Sequence, residues 1–541
     1  MSTKPTLITN ARLIDPAKSK VENGAILFAD TILDVGAISG APEGATIIDA
    51  DGGHIAPGLI DMRVTIGEPG AEHKETFKSA GRAAAAGGVT TMVMTPNTTP
   101  VIDDQSLVDF VLRRGVDRSG GVHILPAAAL TKHLDGELMT EIGLMAEAGA
   151  VLFSNGDKPI ASSRVLRRAL SYATAFDALV ANRPEDQYLA EGGVMHAGEL
   201  AARLGLPGIP DAAESIMAER DLTLAEITGG RLLLDMISAA RTLPALKRAK
   251  DKGVKAVASV NVHHLVLNEN DVDGYRSFAK LSPPLRSEDD RRALVDAISS
   301  GLIDVIVSGH NPQPAEEKRL PYEEAAFGAV GLETLLAGAL TLHHKGDASL
   351  NTIIRAMTLR PGEILKLPQG RLAKGAPLIS SSSTSARPTN STPTTCALNR
   401  RTHPLTKSCC RASSKRHSSP ARRCSPLKET NMRVLVLSAL MLGLAACASS
   451  PPIGPGDPGP NGTPPPIPVD GPIAYRCSDG TQLMVDVETN SARVAIIGGP
   501  AMVLPRAGDG YYSNGRYGFR GGGANGQWEV GRAAPVACRG S

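Results

Sequence analysis

Three histidines, His263, His264 and His310, are of a type that binds metal, and drawn together they would make an imidazole site. Adjacent histidines at a strand end are more commonly hydrogen-bonded core or loop groups, and that is the expectation for VHHL (Val262–Leu265). Arg63 and Thr65 alternate along the apolar run Leu59–Thr65, so a strand built from it turns both to one face. That face carries a permanent cation and a hydroxyl. A guanidinium has donors only, so Arg63 cannot ligate a metal, and its charge opposes a nearby dication. Asn97, in the turn Pro96-Asn97-Thr98, is expected to hold that turn. Arg286, after Pro283-Pro284, could clamp a carboxylate or sit in a structural ion pair.

Rigid elements must position these groups. After the opening runs Thr6–Leu13 and Ala25–Phe28, which read as a small β-structure, apolar strands alternate with helical stretches from Pro57-Gly58 onward. The strands are Leu59–Thr65, Thr90–Thr95, Val122–Pro126, Ala150–Phe153, Ala178–Ala181, Leu232–Ile237, Lys255–Val260 and Ile303–Val307. Helices such as Phe77–Ala86, Arg164–Ala175 and Asp289–Ser299 fall between them. This α/β alternation predicts a (β/α)8 TIM-like barrel over 57–364, with 1–56 and 365–377 forming a small β-sandwich; a doubly wound open sheet is the alternative. The 541 residues are 42% hydrophobic and 21% charged, ordinary for globular protein with room for more than one core. A net charge of +2 gives no global argument for a nucleic-acid partner. MSTKPTLITN carries no signal-peptide pattern, and a cytoplasmic location is expected for 1–377.

Within APGLIDMRVTIGEPGAEHKET (Ala56–Thr76) the pattern becomes specific: it resembles the dihydroorotases of the amidohydrolase superfamily, which have His-x-His where this chain has Arg63-Val64-Thr65. The scaffold motifs GGVTTMVMTPNTTP (Gly87–Pro100), LGLPGIPDAAE (Leu204–Glu214), PPLR (Pro283–Arg286), EEK (Glu316–Lys318) and FGAVGLET (Phe327–Thr334) follow in family order. The resemblance places Asn155, in FSNGDKP, at the metal-bridging carboxylate. It places Arg183, in RPED, and Met236, in MISAA, at two further ligand histidines. Gly309, in SGHNPQ, falls at the Asp that serves as general base, and Asn97 at a substrate contact. Active relatives use zinc; with Arg63, Thr65, Asn155, Arg183, Met236 and Gly309 at these positions, no cofactor and no catalysis are expected, because nothing activates a water. Asn97, Arg286 and His310 would line any residual pocket. The resemblance also implies a partner, the catalytic chain of aspartate transcarbamoylase, with a structural role in pyrimidine synthesis; a homo-oligomer is a further possibility. An active cyclic amidohydrolase of dihydroorotase, allantoinase or hydantoinase type is the competing expectation.

Beyond Pro377 the character changes. All seven cysteines lie from Cys396 on, and Leu378–Lys428 has no Asp or Glu. Residues 378–431 read as low-complexity disorder. MRVLVLSALMLGLAAC (432–447) is laid out as a bacterial lipoprotein signal whose lipobox ends at Cys447, and a Pro/Gly linker fills 448–472. Residues 473–541 form a small all-β module. Its YRCSDGTQLMVDV and closing VACRG resemble membrane-bound inhibitors of C-type lysozyme, which implies a Cys477–Cys538 disulfide and lysozyme as a partner. Read one nucleotide out of phase, codons chosen for HSSPARRCS (His417–Ser425) give FVAGKTVF, similar to a closing dihydroorotase strand. A frameshift near Pro377 into a downstream lipoprotein gene would explain the join. It would also leave the small β-structure with an exposed edge.

Overall fold

Near-continuous runs of Val, Ile, Leu and Ala form strands buried along most of their length, as parallel strands covered on both faces must be. They are β1 (Leu59–Val64), β2 (Val89–Met94), β3 (His123–Ala129), β4 (Leu152–Ser154), β5 (Leu179–Asn182), β6 (Arg231–Leu234), β7 (Ala256–Asn261) and β8 (Val305–Val307). The computed structural model describes residues 4–18, 21–29, 31–376 and 434–436. Of 473–540 it describes all but 480, 488–490, 498–500, 509, 515–516, 522–524 and 531–534. Strands β1 to β8 pair in parallel in chain order. A bridge between Val64 and His310 closes the ring, the Thr65 N–H donating to the His310 carbonyl at 2.8 Å. An open doubly wound sheet would reverse its strand order and leave β1 and β8 as edges, so that alternative falls.

The observed ends differ from the expected ones by local chemistry. The strand expected at Ala150 starts at Leu152 because the Ala150 N–H closes on the Met145 carbonyl at 3.0 Å. The helix expected over Arg164–Ala175 spans Ser163–Ala173, starting at Ser162, whose hydroxyl accepts from the Val165 N–H. It tightens into a 3-10 turn that stops at Asp177, with φ of +47°. Phe77–Ala86 begins at a capping box formed by Thr76 and Ser79, and Glu288–Ser299 at one formed by Ser287 and Asp290. The helices pack their apolar faces on the ring, while Ile60, Met62, Val93, Leu152, Leu233 and Val307 belong to a separate core cluster.

The small β-structure is built from Thr6–Leu13, Glu22–Phe28, Ile32–Gly36, Thr46–Asp49 and His54–Ala56. Leu372 joins its core, and the chain returns to it through Ile32 N–H to Ala376 O and Gly375 N–H to Ile32 O. The expected open edge differs in one respect. Val434–Val436, inside the signal-like run, pairs in parallel with His54–Ala56, since an apolar β-branched run satisfies an unpaired strand edge. Ile47 and Ile48 on Thr46–Asp49 stay exposed, at 62% and 41%. The expectations for 378–431, Cys447 and 448–472 lie outside the described residues. No helix among the described residues is long and apolar enough to cross a membrane.

The chain divides into two compact units, Met1–Leu444 and Ala445–Ser541. In the second, eight antiparallel strands from Ile473–Cys477 to Val536–Gly540 close into a barrel, the last pairing with the first. Tyr475, Leu483, Val494, Leu504, Phe519 and Trp528 fill its core, and a disulfide joins Cys477 to Cys538.

Candidate functional site at the barrel mouth

The C-terminal ends of parallel barrel strands are where loops converge and catalytic groups are carried. At the end of β1 the pairing with β2 slips between Asp61 and Val64, a bulge that re-aims the side chains there. Arg63, 4% exposed, points among carboxylates. Its Nη2 donates to Asp157 Oδ1 at 2.7 Å and its Nε lies 3.2 Å from Asp235 Oδ2. Asp157 comes from the loop after β4 and Asp235 from the end of β6. Asp61 lies beneath them, fully buried, accepting from the Arg63 and Ser308 N–H groups at 3.2 Å each. Burial pushes its carboxyl up to about 6, against the hydrogen bonds from Ser308 and Arg63. The Arg63 guanidinium therefore supplies positive charge between Asp157 and Asp235 at this mouth.

The other expected positions are each committed elsewhere. Asn155 locks onto Thr131, accepting from its N–H at 3.1 Å and donating to its hydroxyl at 2.8 Å. Arg183 donates to Glu185 at 2.7 Å and to Ser282. Met236, with φ of +55°, is buried, its N–H donating to the Ser259 hydroxyl. Thr65 accepts from the Thr95 hydroxyl at 3.3 Å. Gly309 has φ of +56°, and a Cβ built there would lie 2.0 Å from Asn261 Nδ2, so Asn261 fills the space a general base would need.

The histidines do not assemble. His310 Nε2 meets Glu75 Oε2 at 2.7 Å while its Nδ1 accepts from the Gly331 N–H at 3.1 Å, so the ring is a neutral Nε2–H donor with no lone pair left for a metal. His263 Nδ1 pairs with Asn261 at 2.8 Å. His264 Nε2 faces the carbonyls of Pro283 and Pro284, and burial lowers its pKa to about 4. Among the described residues no group of three or more His, Cys, Asp or Glu could hold a metal ion. The donor set does not fit the zinc that the resemblance implies.

Two expectations need correcting. Arg286 does not line the mouth cavity: buried, it donates to Ser238 Oγ and the Ile209 carbonyl, with Glu214 4.0 Å away, and so ties loops together. Asn97 does not hold its own turn, where the Thr98 hydroxyl bonds the Pro100 carbonyl; instead it reaches Asp157 at 3.4 Å. Of the three expected pocket residues, His310 lines the remaining cavity, beside Arg63, Asp157, Met236, Asn261 and Gly309. The cavity volume is about 20 Å³, room for about one water. Sequence reasoning missed Asp61, Asp157, Asp235, Glu75 and Asn261. The signal for the first three was adjacency: Asp61 two residues before Arg63, Asp157 two after Asn155, and Asp235 beside Met236.

Residues 52–241 match the family described as Dihydro-orotase-like. Dihydroorotase of Syntrophus aciditrophicus (strain SB) is 38% identical over 377 residues, covering 68% of this chain and 87% of that protein. The dihydroorotase of Pelotomaculum thermopropionicum is 39% identical over 379 residues, covering 68% and 86%. Among solved structures, L-hydantoinase (dihydropyrimidinase) from Arthrobacter aurescens shares the fold, with a TM-score of 0.62 and 24% identity over 70% of this chain and 86% of its own. Dihydropyrimidinase from Brevibacillus agri NCHU1002 gives 0.58 and 19%, over 69% and 84%. Identity at this level across a closed ring of eight parallel strands makes this chain a member of the dihydroorotase-like family, with the amidohydrolase fold.

Proposed function

We propose that residues 1–377 are a non-catalytic member of this family and serve as a structural partner of the aspartate transcarbamoylase catalytic chain in pyrimidine synthesis. One observation carries the reading: Arg63 sits between Asp157 and Asp235, its charge answering carboxylates that would otherwise need a metal. Ring opening of a cyclic amide needs an activated water and a polarised carbonyl. Gly309 offers no base, and His310 is spent on Glu75 and Gly331. The scaffold around this mouth is complete, which suits selection for surface and assembly rather than turnover. The C-terminal barrel, by the resemblance of its sequence to lysozyme inhibitors, is a separate module of envelope-lipoprotein origin joined by a frameshift.

The test uses the full chain. Light scattering after size exclusion, with and without the transcarbamoylase catalytic chain, is expected to show a joint assembly. Dihydroorotate and hydantoin turnover with added zinc or manganese is expected to be absent. Bound metal with turnover that a chelator abolishes would establish the active amidohydrolase instead. No joint assembly would remove the partner from the proposal.

A further inference from the structure

The C-terminal barrel carries a feature on its outer wall that its core does not need. The neighbouring strands Tyr517–Gly521, Asn525–Val530, Val536–Gly540 and Ile473–Cys477 turn Phe519, Trp528, Cys538 and Tyr475 inward. Alternation turns Arg520, Gln527, Arg539 and Arg476 outward, where all four are exposed. With Asn525 they line an open cleft of about 960 Å³ that no Asp or Glu lines among the described residues. Arg476 and Arg539 stand directly opposite one another where the last strand meets the first. Asn525 lies opposite Arg539, and Gln527 opposite Arg520. Like charges facing each other across a pair of strands are destabilising, and no ion pair among the described residues involves these three arginines. Such an arrangement is relieved by an external anion.

We infer that this cleft is a docking surface for the phosphate-bearing headgroups of an anionic membrane. Three guanidiniums and two side-chain amides across four strands span roughly 14 Å at the usual strand spacing, and guanidinium forks match phosphate oxygens. Nucleic acid fits less well, because unpaired bases need exposed aromatic faces to stack on. Here Tyr475, Phe519 and Trp528 are buried, and Arg520 already covers the Tyr511 ring at 5.0 Å. The sequence adds an independent argument: the barrel follows a Pro/Gly linker and an apolar run ending at Cys447 that is laid out as a lipid-attachment signal, so the lipoprotein from which the module derives would have worked beside a bilayer, although an internal signal is not expected to be processed in this fusion.

The experiment is co-sedimentation of the full chain with vesicles of phosphatidylcholine alone or mixed equally with phosphatidylglycerol. Binding to the anionic vesicles only is expected. Each of Arg476→Gln, Arg520→Gln and Arg539→Gln should lower the partition constant about fivefold, the fold-change equivalent to about 1 kcal/mol per arginine at a charged surface. The charge-matched triple variant Arg82→Gln, Arg167→Gln, Arg168→Gln should bind as the parent does. Emission from Trp528, the single tryptophan of the chain, reports whether each single cleft variant keeps its barrel, and those that keep it are read. Absent binding to anionic vesicles, equal losses in the control, or unchanged binding in the folded cleft variants would each overturn the inference. So would a single-stranded oligonucleotide that displaces the protein from the vesicles at equal phosphate concentration.

Discussion

The two barrels handle charge in opposite ways. The parallel barrel buries Asp61, Arg63, Arg183, Glu214, Asp221, Asp235 and Arg286, while no charged residue of the C-terminal barrel is buried among those described. The large body has apolar surface to spare, so it can hold ions inside provided each finds a partner. A module of some seventy residues has no such surplus and must put its arginines outside, closing its wall with a covalent link between first and last strands. Buried charge in the parallel barrel therefore comes in partnered sets, as Arg63 with Asp157 and Asp235, while the small barrel presents its charge at the surface.

The sharpest way to break this comparison is to remove the internal cation. Arg63→Met leaves Asp235 buried without its partner and should cost about 3–5 kcal/mol in denaturant unfolding of the parallel barrel. Adding Asp235→Leu should recover part of that loss; a neutral single variant would mean that Arg63 is no substitute for a metal. Next comes the link in the small barrel. Cys477→Ser or full reduction should destabilise that module by about 2–5 kcal/mol, read from Trp528 emission, without moving the transition of the parallel barrel. A smaller effect is expected at Gly309. Gly309→Asp, which puts a base back in name, should destabilise by about 1–3 kcal/mol because a left-handed backbone and the Asn261 amide both oppose a Cβ. Asn261→Ala in the same chain should relieve the clash but not the backbone strain.

The mildest test is a pH slope. Burial raises the Asp221 carboxyl to about 6 from 3.8, despite Arg220 and Asn182 beside it. The folded chain then holds this proton more tightly than the unfolded chain. Its contribution is fully present below about pH 4 and is lost as pH rises through about 6. Asp221→Asn should remove that part of the slope, which approaches about 1.4 kcal/mol per pH unit at its steepest. His264, lowered to about 4 from 6.5, works the other way, destabilising the fold as pH falls below 6.5, and should be unchanged in the variant.

What could be read from residues alone was local. Each barrel strand is a short apolar run set off by turn residues, so all eight appear in order. Their ends shift by one to three residues where a cap, or a turn such as the closure of Ala150 onto Met145, intervenes. The types at positions 63, 155, 183, 236 and 309 were equally plain, since a guanidinium, an amide, a thioether or a missing side chain declares its chemistry without coordinates. Only the folded chain decided what those residues do. Arg63 meets Asp157 and Asp235, His310 meets Glu75, and Asn261 takes the space above Gly309. These partners lie far apart along the chain, and nothing in local periodicity encodes a contact that closure of the ring creates.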